Sequence, residues 1–202
     1  SFPTRRSSDL EVIASDYWAD NPGTLTVVAI LVAGAAFTKS AQFPFQAWLP
    51  DSMVAIAPVS AYLHAAAMVK AGIYLLARLN PVLGGSVGWG TLLITIGAAT
   101  AVLGAFLAFR QTDLKRLLAY TTVTVLGQLT MLIGTNNSYG LQTFILYLVA
   151  HSLYKGALFM AVGAIDHATG TRELARLGGL IRFMPLTGAA VALAAFSNAG
   201  LP

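Results

Sequence analysis

The chain holds 202 residues, of which 56% are hydrophobic and only 10% charged, with a mean hydropathy of +0.71. Soluble domains carry about 25% charged residues, so this composition excludes a soluble fold and indicates a membrane protein with several spans. The absence of cysteine excludes disulfide frameworks, Fe–S clusters, c-type haem and cysteine-based zinc sites, and no cofactor or metal is expected. The formal charge of +4 is small and lies in loops, which argues against nucleic acid as a partner.

Residues 1–10, from Ser1 to Leu10, look like the translation of a sequencing-adapter oligonucleotide. Arg5 and Arg6 precede no apolar core, so the stretch is not a signal peptide. Residues 11–202 are expected to be one piece of a longer transmembrane domain. Pro22-Gly23-Thr24 signals a helix start, and its apolar run extends past Lys39 to Phe43-Pro44-Phe45, where proline breaks or kinks the helix. A second piece leads to Leu49-Pro50-Asp51. Further spans are expected from about Val59 to Arg78, closed by Asn80-Pro81, then over 89–109, 117–134 and 141–165. Asn136-Asn137 supplies a turn. The last span starts after Pro185. The whole reads as an all-α, polytopic transmembrane bundle of about six segments, with its first and last helices broken.

Cations give the orientation. The loop at 110–116 carries Arg110, Lys115 and Arg116, and the loop at 166–184 carries Arg172, Arg176 and Arg182. The intervening loop at 134–140 has no charge. By the positive-inside rule the two basic loops face the cytoplasm.

Lysine placement is the feature that points to function. Lys115 falls in a loop, whereas Lys39, Lys70 and Lys155 fall inside apolar segments or beside a break. A lysine at mid-membrane costs roughly 2.5–3.5 kcal/mol, so three together cost about as much as a whole domain's stability. Snorkelling suits Lys70 and Lys155 poorly, because each lies more than two turns from the nearer end of its expected helix. A desolvated lysine can instead gain and lose a proton, and histidine does so without help. His64 and Lys70 share one segment, about 9 Å apart along a regular helix axis. Tyr147, His151 and Lys155 follow an i, i+4, i+8 pattern and form a polar stripe on one face. No carboxylate lies within a span to pair with these lysines. Pro44 beside Lys39 is consistent either with a simple kink or with the broken helix of a transporter.

The run from Lys39 to Asp51, and then Pro58 through His64 and Lys70 to Gly72, resembles the core of the proton-translocating antiporter family. That family includes the large subunits of Mrp-type Na+/H+ antiporters and the antiporter-like subunits of respiratory complex I. Thr112 to Tyr120 resembles its cytoplasmic turn. Asp166 to Glu173, Leu177-Gly178-Gly179 and Met184-Pro185 look most like the branch formed by the A subunits of Mrp antiporters. Ala199 to Pro202 resembles the break in the family's twelfth helix. The resemblance implies helices seven to twelve of a multi-pass cell-membrane subunit, a secondary transporter and not an enzyme, exchanging Na+ for H+ beside other membrane subunits. Its alternative is a proton-pumping subunit of an NADH:quinone oxidoreductase. It also implies a proton relay through Lys39, His64, Lys70, His151 and Lys155, in which Lys39 pairs with a glutamate on a helix outside this sequence. Two positions depart from the pattern. Tyr147 stands where complex I relatives often have histidine, and Ile56-Ala57 replaces the usual Pro-Thr before Pro58. The lysine that ends the family's relay lies beyond Pro202, so these residues alone are expected not to transport.

Overall fold

The computed structural model describes residues 15–200, so the expectations for residues 1–10 and for Leu201-Pro202 lie outside the described residues. Within them the regular structure is helical, and the only β pairing is one isolated bridge between Asp113 and Glu173. The main helices are α1 (Pro22–Lys39), α2 (Ala57–Ala61), α3 (Lys70–Leu83), α4 (Trp89–Phe109), α5 (Leu114–Gly134), α6 (Ser138–Thr169) and α7 (Pro185–Asn198). Short helical turns at Trp48–Asp51 and Leu180–Phe183 lie between them. Five stretches are long and apolar enough to cross a membrane: α1, Ala57–Leu83, α4, α5 and α6.

Local chemistry sets the helix ends. The Asp113 carboxylate accepts the Arg116 N–H at 2.9 Å and caps α5. The Asn137 side chain accepts the Gly140 N–H at 2.6 Å and caps α6. Gly170, with φ of 69°, ends α6 in the left-handed conformation that glycine adopts without strain. With 32 residues, α6 is about 48 Å long, well beyond the ~30 Å hydrocarbon core. Its last turn, with Asp166 and His167, therefore projects toward the basic loops. Those loops do lie on one side, because the Asp113–Glu173 bridge joins them.

Three expectations need correction. Pro81 does not close its span, since α3 runs on to Leu83; so near a helix end, a missing N–H costs a single hydrogen bond. The span from Val59 to Arg78 is not one helix. It passes from α2 into a π-helical turn at Tyr62–Ala66 and restarts at Lys70, although neither proline nor glycine lies in that turn. Lys70 is thus the first residue of α3 instead of lying deep within a helix. Lys115 is not a loop residue. It sits in the first turn of α5, 3% exposed, with its Nζ donating to the Ala55 carbonyl at 2.8 Å.

The break in α1 and the break before α3 meet. Ser40 Oγ donates to the Val69 carbonyl at 2.7 Å and accepts the Ile73 N–H at 3.0 Å. Gly72 permits the approach, because a Cβ there would lie 2.5 Å from the Ala36 carbonyl oxygen. Two apolar clusters hold the bundle. One joins α1, α3, α4 and α5 through Phe37, Ile73, Leu76, Leu93, Leu126 and Leu129. The other joins α5, α6 and α7 through Leu118, Phe159, Val162 and Ala194.

Helices α4 and α5 touch backbone to backbone along Gly90, Gly97, Gly104, Gly127 and Gly134. A Cβ on Gly127 would lie 2.6 Å from both the Ala101 nitrogen and the Gly97 carbonyl oxygen. Gly127→Val should therefore destabilise the full-length protein by about 1–3 kcal/mol. The expected readout is a lower melting temperature of the detergent-purified protein, with Gly34→Ala as the neutral control because nothing lies near its missing Cβ.

Candidate functional site

The polar interior is built on α6. His151 and Lys155 lie one turn apart near its middle, and both are 0% exposed. The second wall is the α2 and π-helical segment, which runs antiparallel to α6. A Cβ on Gly163 would collide with Ala57, the His64 ring lies 4.8 Å from the Phe159 ring, and Gly156 faces Ala65. Lys70 then reaches Ser152. The register Ala57–Gly163, His64–Phe159, Ala65–Gly156, Lys70–Ser152 leads from the basic end of the bundle into its middle.

Each lysine is held by uncharged oxygens. Lys70 Nζ donates to the Ala65 carbonyl and to Ser152 Oγ. The Ala65 carbonyl belongs to the π-helical turn, where regular pairing is lost: the Val69 N–H reaches back to Leu63 instead. The ammonium takes the place of a backbone donor. Lys155 Nζ donates to the Leu118 carbonyl at 3.1 Å and to Thr121 Oγ1, both on α5. The ion pairs among the described residues involve neither lysine.

The histidines complement this arrangement. His64 is 0% exposed, and all four ring nitrogens of His64 and His151 are buried with no hydrogen-bond partner among the described residues. Burial of a polar group without a partner is costly, so these rings keep their donor and acceptor capacity in reserve. His151 lies one residue from Ser152, which receives the Lys70 ammonium, and one helical turn from Lys155. The structure thus brings together four of the five residues expected from the sequence.

Lys39 stands apart. It is exposed at the last residue of α1, beside the break. No described residue supplies the acidic partner that would fold its ammonium inward. Tyr147, the third member of the stripe, is half-buried and donates from its hydroxyl to Gln128 Oε1 at 2.6 Å. Sequence reasoning missed Ser152, Thr121 and Gln128. Ser152 lies one residue from His151, but hydroxyls are common in membrane helices and spacing alone did not single them out.

A helical bundle with five stretches able to cross a membrane, and with lysines and histidines buried in its apolar interior, defines a polytopic membrane protein. The chain belongs to the family described as NADH:quinone oxidoreductase/Mrp antiporter, transmembrane, whose profile matches residues 8–202. It is similar to the A subunit of the Na(+)/H(+) antiporter of Bacillus subtilis, 48% identical over 184 residues, covering 86% of this chain and 23% of that protein. It also resembles the A/B subunit of a probable K(+)/H(+) antiporter of Rhizobium meliloti, 46% identical over 95% of this chain and 19% of the relative. Among solved structures, a chain of the Mrp complex from Dietzia sp. DQ12-45-1b superposes with a TM-score of 0.92 at 54% identity, covering 96% of this chain and 22% of that one. A chain of the membrane-bound sulfane sulfur reductase, an archaeal respiratory membrane complex, gives 0.79 at 27% identity, covering 90% and 38%. The sequence therefore spans about a quarter of the length of the curated relatives it matches.

Because Lys155 is wholly buried against uncharged oxygens, Lys155→Met should not unfold the full-length protein. An apolar chain of similar length removes the desolvation cost. The expected melting temperature is equal to or above that of the parent, whereas Phe159→Ala should lower it by opening a cavity.

Proposed function

We propose that this chain is the proton-conducting core of the A subunit of a multi-subunit monovalent cation/H+ antiporter, a multi-pass protein of the cell membrane acting beside other membrane subunits. The observation that carries the proposal is the cluster of His64, Lys70, His151 and Lys155, buried together with free imidazole nitrogens and no acidic partner among the described residues. Two ammonium groups in one apolar interior repel each other, so a proton held by one makes a second harder to hold. Such a set passes protons on and does not store them. His151 is placed to exchange with Lys155, one turn away, and with Lys70, whose ammonium ends on the neighbouring Ser152. His64 links the set to the basic end of the bundle. Lys39 is assigned the position where a charge from outside this sequence joins the relay.

Exchange of a cation for protons is the activity proposed, a transport function and not an enzymatic one. The antiporter names of relatives at 46–49% identity favour it over a redox-driven pump. The likeness to a respiratory complex is lower, at 27% identity. Na+ is the cation proposed, with K+ as the comparison because the Rhizobium relative is named for it.

The test is cation-dependent pH change in everted vesicles carrying the full-length protein in its complex. Lys155→Ala should abolish exchange while the complex still assembles. Lys155→Arg should fail as well, since arginine stays protonated and cannot release its proton. Normal exchange by the arginine variant would make Lys155 a fixed charge and sink the relay.

A further inference from the structure

A proline ends a helix at the residue before it, which for Pro44 is Phe43. Helix α1 ends one turn earlier, at Lys39, so the proline does not account for where the break falls. The backbone bonds do. In a regular helix the Gln42 N–H would pair with the Thr38 carbonyl and the Phe43 N–H with the Lys39 carbonyl. Instead the Gln42 N–H reaches the Phe37 carbonyl at 2.9 Å. The Thr38 carbonyl accepts from Trp48 Nε1 at 3.1 Å, and the Phe43 N–H donates to Thr100 Oγ1 at 2.9 Å. The Ser40 carbonyl, whose helical donor would be the N–H that Pro44 lacks, accepts from the Gln42 side chain at 3.2 Å.

Two of these partners come from outside the unformed turn. Thr100 lies near the middle of α4 and is wholly buried. Its hydroxyl proton is committed to the Ile96 carbonyl at 2.7 Å, which leaves its oxygen to accept. Trp48 comes from the short helix that follows the break. Each occupies one half of a bond that the unformed turn would make. The broken form needs that hold, because Ala41 has a φ of 48°, a left-handed conformation that is costly for a residue with a Cβ.

Closing the turn would change what stands in front of Lys39. Phe43 follows it by four residues, so both would share one helix face. Aromatic side chains on a helix point back toward its N-terminus, and the Phe43 ring would lie over Lys39. In the broken form Phe43 is pinned to α4 and Lys39 is exposed.

We propose that Thr100 is a positioning residue for Lys39: together with Trp48 it holds α1 one turn short and keeps the Phe43 ring off the ammonium. This rests on the relay reading above, which assigns Lys39 the place where a charge from outside this sequence joins. Without the Thr100 oxygen the Phe43 N–H loses its acceptor inside the bundle, and the nearest remedy is the Lys39 carbonyl. The turn then closes.

The experiment uses the full-length protein in its complex. Melting temperatures in detergent are compared for Thr100→Val, Trp48→Phe and the double variant. Once one partner is gone the turn closes and the other is already displaced, so the double variant should melt no lower than the worse single one. In everted vesicles, Na+-dependent proton exchange is measured per assembled complex. Thr100→Val should slow it about tenfold, and Thr100→Ser, which keeps the acceptor, should retain the parental rate. Phe43→Ala added to Thr100→Val should restore most of the lost rate, because the closed turn then carries no ring over Lys39. Additive melting shifts, parental exchange by Thr100→Val, equal slowing by Thr100→Ser, or no recovery with Phe43→Ala would each overturn the proposal and leave Thr100 as a fold support. Melting needs no transport. Non-additive shifts together with normal exchange by Lys155→Ala would therefore overturn the relay while supporting the hold on α1.

Discussion

In hydrocarbon there is no water to satisfy a released backbone group, so every break in a membrane helix must be answered by protein. The interior of this bundle is organised by two such answers. Ser40 donates to Val69 and accepts from Ile73, which ties the broken end of α1 to the restart at α3. Lys70 donates to the Ala65 carbonyl that the π-helical turn leaves free. The second answer uses a charged donor where a neutral one would do, and that choice places an ammonium at the centre of the fold. Structure and chemistry are coupled at this residue: the group that completes the backbone is also a group to which the proposed relay assigns proton exchange.

The long helix α6 then divides its sides between neighbours. Ser152 meets Lys70 on one side, whereas Lys155 reaches across to Leu118 and Thr121 of α5 on the other. His151 sits between them, its ring edge-on to Tyr154 and its nitrogens without a hydrogen-bond partner among the described residues. A carboxylate beside either lysine would fix the proton in place. In the proposed relay, oxygens without charge leave the ammonium free to give up its proton.

The spans over 89–109 and near 117–134 were legible because unbroken apolar runs of about 20 residues leave little alternative in a membrane. The stripe His151–Lys155 was legible from helical periodicity alone. The π-helical turn at Tyr62–Ala66 was not, since its residues are ordinary helix formers and the break is stabilised by partners distant in sequence, Ser40 and Ser152. Lys115 reads as a loop residue because it stands beside Arg116 in a charged turn; only the fold reveals that its stem is buried and its head spoken for by Ala55. Pro81 carries a breaker signal that the last turn of a helix tolerates. Lys39 is the instructive case: no described residue offers it an acidic partner, and the described bundle leaves it exposed at the end of α1.

The π-helical turn has one consequence in the language of insertions and deletions. A π turn holds one residue more than an α turn, so it rotates everything after it by about 100° around the helix axis relative to an unbroken helix. Tyr62–Ala66 acts as a phase shifter between His64 and Lys70. Removing a single residue there would allow a regular helix, with every backbone bond made, and would swing Lys70 a quarter-turn away from Ser152. The better-bonded helix would be the one with its ammonium out of register.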